Sequence, residues 1–366
     1  MRLWSPKSAP RSRTRSDSPK RARLRHWSPF TNTCTRKDDA AMPLMRYSEA
    51  LRLAMTEEME RDPTVFVCGE EVGQYQGTFR VTEGLLSRFG PMRVVDTPIS
   101  EIAIAGLATG AAMAGLRPIA EFMTWSFALS AMDQLVNHAA KITYMSSGRV
   151  TCPAVFRGPA GTGNQLSAQH SQSLESWYAH TPGFKVVLPF TPADAKGLLK
   201  TAIRDNSPVI FMEHAGLYAQ RGEVPDDPDF TVPFGRAEIR REGTDVTLVA
   251  YSLMVGKCLK AAEKLEASGV SCEVVDLRTL VPLDMETIIA SVARTHRVVV
   301  VQEEWLNVGF AAEVAARLAD EAFDELDAPI RRVGGADVPM PYARELEQAA
   351  IPGEDAIIAA VRSIVD

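Results

Sequence analysis

The stretch Arg93-Val94-Val95-Asp96-Thr97-Pro98-Ile99-Ser100-Glu101 decides how this chain is read. A short β-branched run ends in an Asp-Thr-Pro-Ile-Ser turn, and a glutamate then opens an Ala/Gly-rich helix from Ile102 to Ala114. Pro98 fixes the turn and Ser100 is a natural N-cap. Glu101 therefore falls at a strand-to-helix junction, at the carboxyl end of a strand, where open α/β sheets collect their ligands. Small residues along the helix, among them Ala103, Gly106, Gly110 and Ala114, leave room for another backbone or a partner subunit. A first-turn glutamate also complements the helix dipole, so this residue alone does not separate a structural carboxylate from a catalytic one.

The same alternation extends on both sides. Upstream, Tyr47 to Glu60 reads as an amphipathic helix and Val65 to Gly69 as a strand closed by glycine. Downstream come strand Arg117 to Phe122, a long helix Phe127 to Met145, strand Pro153 to Arg157 and a glycine-rich loop, Gly158 to Gly163. Lys185 to Leu188, helix Pro192 to Arg204 and Pro208 to Met212 complete a first half. The segment Glu223 to Pro233 carries three prolines and four acidic residues, a composition that breaks helix and strand alike. Beyond it, strands Val246 to Tyr251, Cys272 to Leu277, Val298 to Val301 and Ile330 to Val333 alternate with helices Val255 to Ala267, Asp284 to Ala293 and Gly309 to Ala322. Short apolar strands alternating with helices predict parallel sheets covered on both faces, an α/β fold of two doubly wound domains.

Charge and cysteines narrow the function class. The chain of 366 residues has a net charge of −6. Residues 1–41 hold eight Arg and three Lys against three Asp, a net +8, so the remainder carries −14 and is a poor candidate for nucleic acid. No apolar run reaches the roughly 18 residues of a membrane span. The five cysteines are scattered without CxxC spacing, which fits a reducing compartment rather than a disulfide framework or a zinc site. The basic leader reads as a disordered tail, a transit peptide interrupted by prolines, or an over-extended start with Met42 or Met45 as the true beginning. The third reading is preferred, and residues 1–41 are left out of the expected fold.

The common site motifs are absent: no Walker A, GxSxG, HExxH or GxGxxG occurs at a strand–helix turn. His170, in Ala168-Gln169-His170-Ser171-Gln172, lies on a polar loop after a strand, where a loop brace is the commoner role and an acid/base or orienting group the other candidate. Glu70-Glu71 places two carboxylates at another strand end, and Phe127 opens the long helix as a core aromatic or a ligand platform. His138 reads as structural, while His180, His214 and His296 carry no motif.

Several blocks taken in order, Phe66 to Val72, Asp96 to Leu107, Ala111 to Phe122, Ala168 to Gln172, Asp194 to Pro208 and Gly335 to Ala343, are similar to those of a known family. From about Met45 to its end, the chain resembles the β subunits of the decarboxylating component of two-oxoacid dehydrogenases, most narrowly those of pyruvate dehydrogenase. The resemblance implies a thiamine pyrimidine-binding domain over 45–222, a linker over 223–240 and a transketolase C-terminal-like domain over 241–366. It implies thiamine diphosphate as cofactor, pyruvate as substrate and acyl transfer to the lipoyl group of an acyltransferase component.

Carried over residue by residue, the resemblance places the cofactor-activating glutamate on Glu101, beside the aminopyrimidine, whose imino tautomer it promotes. Phe127 falls where an aromatic stacks on that ring, Glu70 near its polar edge, Ile99 in the turn that lines it, and His170 on the histidine serving acyl transfer. A structural potassium ion would map to main-chain oxygens of Ala154, Ala202, Asp205 and Ser207, the last often an asparagine in the family. The Gly-Asp-Gly motif that binds diphosphate through magnesium does not occur here. Magnesium is therefore expected on an α subunit, in a heterotetramer of two α and two β chains. The alternatives are a β subunit acting on branched-chain 2-oxo acids or acetoin, and a non-catalytic scaffold.

Overall fold

The alternating pattern builds two mostly parallel sheets, one from each half of the chain. The computed structural model describes residues 42–365, and the expectations for the basic leader lie outside the described residues. The first half contains β1 (Leu44–Arg46), α1 (Tyr47–Arg61), β2 (Val65–Gly69), α2 (Leu85–Phe89), β3 (Val94–Asp96), α3 (Glu101–Met113), β4 (Arg117–Glu121), α4 (Ile142–Met145), β5 (Val155–Ala160), α5 (Glu175–Ala179), β6 (Lys185–Val187), α6 (Pro192–Arg204), β7 (Val209–His214) and β8 (Arg221–Glu223). The second contains β9 (Glu238–Arg241), β10 (Val246–Ala250), α7 (Leu253–Glu266), β11 (Cys272–Asp276), β12 (Thr279–Val281), α8 (Met285–Thr295), β13 (Val298–Trp305), α9 (Phe310–Glu321), β14 (Arg331–Gly335), α10 (Arg344–Ala350) and α11 (Glu354–Val365).

The first sheet has the order β12-β6-β7-β5-β4-β2-β3 and the second β14-β13-β10-β11-β9. Pairing is parallel except at one edge of each sheet, where β12 and β9 run antiparallel. From β2 the chain moves outward to β3 and then returns across to β4, so the carboxyl ends of β2 and β4 flank a switch point. Crevices for ligands open at such points.

Period-two alternation divides the strand side chains between two apolar layers. In β13, Val299 and Val301 join the layer containing α1, α6, α7 and α11. Val298 and Val300 join the layer containing α3, α8 and α9. Both layers run through both halves of the chain, which explains why the strands read as continuous apolar runs.

The structure departs from the sequence expectations at five places. The segment Phe127 to Met145 is not one helix: a 3₁₀ turn, Ala128–Ala131, leads into a π-helix, Asp133–Ala139, and then α4. Ala140 N–H donates to Leu135 O in the wide i→i+5 pattern, and such widened turns gather at functional sites. Ser100 precedes α3 but its hydroxyl caps nothing; its carbonyl receives Ala103 and Ile104 N–H instead. The expected linker 223–240 begins inside β8, which pairs with β1, and ends inside β9. Its middle is strapped to α6 by two fully buried lysines, Lys196 to Pro225 O (2.9 Å) and Lys200 to Pro228 O. Strand β12 crosses from the second half to the first sheet, and α10 and α11 lengthen the carboxyl terminus beyond the expected last strand.

Candidate active site

Four sequence-singled residues stand at the carboxyl ends of four parallel strands: Glu70 after β2, Glu101 after β3, Phe127 after β4 and His170 after β5. Local hydrogen bonds lock the first two ends together. Asp96 accepts from Gly73 N–H (2.5 Å) and Gln74 N–H (2.9 Å), and Thr97 N–H donates to Gly69 O (2.9 Å). Glu70 is 4% exposed and its Oε1 is buried without a hydrogen-bond partner among the described residues. Burial first, and the Glu101 charge second, push the Glu70 carboxyl above its ordinary range.

Glu101 is half-buried and its Oε2 accepts from the Ser130 hydroxyl at 3.2 Å. The same hydroxyl lies 3.1 Å from Phe127 O, so the 3₁₀ turn ties the aromatic to the glutamate. The rings of Phe127 and His170 meet edge-on, with centroids 4.8 Å apart at 76°. Both line a cavity of about 180 Å³ together with Phe79, Met123, Pro159 and Leu166. Ile99 stands in the turn before Glu101, 83% exposed. The structure thus gathers Glu70, Ile99, Glu101, Phe127 and His170 at one end of one sheet.

The potassium positions lie elsewhere. Ala154 precedes β5, and Ala202, Asp205 and Ser207 surround the α6–β7 connection, at the amino ends of the strands. Ala154 O accepts from Val209 N–H (2.9 Å), Ala202 O from Asp205 N–H (3.2 Å) and Asp205 O from Arg117 (2.9 Å). A carbonyl oxygen has two lone pairs, so these oxygens retain capacity for a monovalent ion. Among the described residues no cluster of His, Cys, Asp and Glu is arranged to hold a metal.

Sequence reading missed a second group that braces the site from the other half. Glu303, on β13, is buried, and its Oε1 accepts from Thr162 N–H (2.9 Å) and Ser173 Oγ (3.0 Å). His214 Nε2 meets its Oε2 at 2.8 Å, while Gly216 N–H donates to His214 Nδ1 (3.0 Å). Gly161 packs so closely that a Cβ there would lie 2.3 Å from His214 Nε2. Beneath the first sheet's edge, fully buried Arg157 bridges Glu121 and Glu213 across β4, β5 and β7. No local motif marks either network, because each joins residues far apart in sequence.

Comparisons with known proteins agree with the fold. The family models for the transketolase pyrimidine binding domain and the transketolase C-terminal domain match residues 44–220 and 235–357. A solved split gene transketolase, described as an inactive β4 tetramer, superposes with a TM-score of 0.71 at 25% identity, covering 88% of this chain and 98% of that one. Fold and matching family models define a transketolase-type protein of the thiamine diphosphate-dependent class. Among similar proteins, the pyruvate dehydrogenase E1 component subunit beta of Rickettsia felis is 54% identical over 86% of this chain and 97% of its own length. The mitochondrial subunit beta-2 of Oryza sativa subsp. japonica is 48% identical over 93% of this chain and 91% of its own length, and the mitochondrial subunit beta of Bos taurus is 50% identical over 87% and 90%. The chain belongs to the family of pyruvate dehydrogenase E1 component β subunits.

Proposed function

We propose that this chain is the β half of an enzyme that oxidatively decarboxylates pyruvate, holding the aminopyrimidine end of thiamine diphosphate at the carboxyl edge of its first sheet. The observation that carries this reading is the convergence of Glu70, Glu101, Phe127 and His170 there, with a buried carboxylate oxygen left unpartnered. An orphaned buried acceptor calls for a donor, and the amino-substituted edge of a pyrimidine provides one.

Each residue has a role that its surroundings support. Ser130 fixes one oxygen of Glu101, which leaves the other free to hold a proton that a bound pyrimidine nitrogen would share. The Phe127 ring gives the aromatic plane a stacking surface, and Ile99 covers an edge of it. His170 holds a proton at the cavity mouth for delivery to the lipoyl sulfur during acyl transfer. When bound, the cofactor supplies the nucleophilic carbon and the electron sink for loss of carbon dioxide.

The diphosphate and its magnesium fall to an α subunit, since Gly-Asp-Gly does not occur in this sequence. Exposed Ile99, Ile102, Leu107 and Met113, in and after the Glu101 turn, offer an apolar face for that partner in a heterotetramer of two α and two β chains. Main-chain oxygens of Ala154, Ala202, Asp205 and Ser207 hold a potassium ion that stiffens the opposite end of the sheet. A reducing compartment, the bacterial cytoplasm or the mitochondrial matrix, suits the buried free thiols.

The test is to assemble the chain with an α-type chain, thiamine diphosphate and magnesium, and to compare 2-oxo acids with an artificial electron acceptor. Pyruvate should give the highest kcat/KM. Preference for branched-chain 2-oxo acids or for acetoin would move the chain to a sibling enzyme, and no turnover by a correctly assembled complex would leave the scaffold alternative.

A further inference from the structure

The loop between β5 and α5 carries His170 and has little structure of its own. Among the described residues one backbone hydrogen bond lies within it, His170 N–H to Ser167 O at 3.3 Å. Gly161, Gly163, Gln165 and Ser167 all have left-handed backbone conformations, which do not propagate into helix or strand. The position of His170 must therefore be imposed from outside. Phe127 packs edge-on against the His170 ring, but among the described residues the side-chain hydrogen bonds into the loop come from the other half of the chain: Glu303 takes Thr162 N–H and the Ser173 hydroxyl on one oxygen, and Glu347 of α10 takes Gln165 N–H at 3.0 Å.

We propose that Glu303 is a positioning residue for His170, one carboxylate of the second half clamping both ends of the loop that carries the histidine. The proposal rests on the acyl-transfer role given to His170. Three features fit Glu303 for the task. His214 occupies its second oxygen, leaving Oε1 to the loop. Gly161 lets the loop approach where any side chain would collide. Glu303 is also the ionised member of a buried acidic group. Burial alone would raise its carboxyl, but the His214 imidazole and the bonds from Ser173 and Thr162 outweigh it and hold it at about 2. Its neighbours Glu175 and Glu304 go the other way, both raised chiefly by burial. The same bonds that lower its carboxyl thus keep Oε1 an acceptor for the loop.

The experiment is a double-mutant cycle in the chain assembled with its α-type partner, reading acyl transfer to a lipoyl domain alongside dye-linked decarboxylation. Glu303→Ala should reduce transfer about tenfold more than decarboxylation, on the scale by which small misplacements cost rate. Glu303→Gln keeps an acceptor oxygen and should restore most of the difference. In a His170→Ala background, Glu303→Ala should add no further loss, since the two residues act as one unit. Multiplicative losses, or equal losses in the two assays, would overturn the clamp. If His170→Ala itself spares transfer, the role of His170 fails, and the clamp is then judged by chymotryptic cleavage at the exposed Leu166. Cleavage should accelerate in Glu303→Ala, and unchanged cleavage overturns the proposal. Should that variant misfold, Ser173→Ala removes one tether and should shift both readouts two- to threefold in the same direction; no shift would refute the clamp.

Discussion

At the carboxyl edge of the first sheet, Glu70 Oε1 is buried without a partner among the described residues and Ile99 stands 83% exposed. At the carboxyl edge of the second sheet, Gln302, Glu303 and Glu304 are buried and fully engaged. Gln302 bonds Trp305 O (2.6 Å) and Ala311 N–H (2.5 Å), and Glu304 bonds Ser176 and Phe310 N–H (3.1 Å). The two edges share an architecture, so topology alone does not decide where chemistry happens. A buried carboxylate oxygen left unsatisfied marks the edge that awaits a ligand. Satisfied carboxylates mark the edge that braces.

If that contrast is right, substitutions at the two edges should damage different properties. The largest effect belongs to Glu101→Gln. The amide keeps volume and the Ser130 contact but cannot share a proton, so turnover of the assembled enzyme should fall about 10²–10⁴-fold. Its thermal midpoint should stay near that of the parent chain. Near-normal turnover with pyruvate would remove Glu101 from the activating role.

At the bracing edge the pattern should invert. Gln302→Ala strips partners from Ala311 N–H and Trp305 O inside the protein and should destabilise by about 1–3 kcal/mol. Urea titration reads this, while kcat per folded molecule stays close to the parent value. A specific loss of kcat without loss of stability would erase the distinction between the edges.

A smaller effect of the opposite sign is expected at Glu70. Its carboxyl is raised by burial and by Glu101, so the folded state resists ionising it more than the unfolded state does. The stability this contributes is fully present below the unfolded value of about 4.3 and is lost as pH rises through the folded value. Glu70→Gln removes that loss. The variant should be more stable at neutral pH by about 1 kcal/mol, the scale of relieving one unfavourable site, with a flatter pH profile above 4. Cofactor binding should weaken in parallel. Lower stability at pH 7 would show that the unpartnered oxygen is already served.

How far these edges are readable from sequence depends on the distance over which each feature acts. The Asp96–Glu101 turn and the start of α3 are local, written in a β-branched run, a proline and an Ala/Gly-rich continuation. The apolar runs of β10 and β13 likewise announce buried parallel strands. Glu70 and His170 were visible only as polar residues after strands, and their grouping with Phe127 came from family resemblance. The clamp was invisible: Glu303 lies 141 residues from Thr162, and His214 sits in no motif. β12 escaped for the same reason, because three residues pair with Lys185–Val187 from far away. The π-helix escaped because the residues from Asp133 to Ala139 suit an α-helix equally well.

The least conspicuous expectation concerns thiols, and it compares the edges without touching either. Burial pushes Cys68 and Cys152 up to about 12 and Cys272 up to about 11, and raises Cys258 as well. At pH 8 each is almost wholly protonated and therefore unreactive, since the thiolate is the nucleophile. Labelling must wait for local opening, and opening is easiest where packing is incomplete. Cys68 lies on β2, one residue before Gly69 and two before Glu70, under the unsatisfied edge. Cys258 and Cys272 lie on α7 and β11, behind the satisfied one. Alkylation followed by peptide mass spectrometry should therefore find Cys68 modified first, slowly, and protected further once the α-type chain and cofactor are bound. If Cys258 or Cys272 reacts earlier in the folded chain, the second edge is the looser of the two, and the contrast between a receiving edge and a bracing edge does not hold.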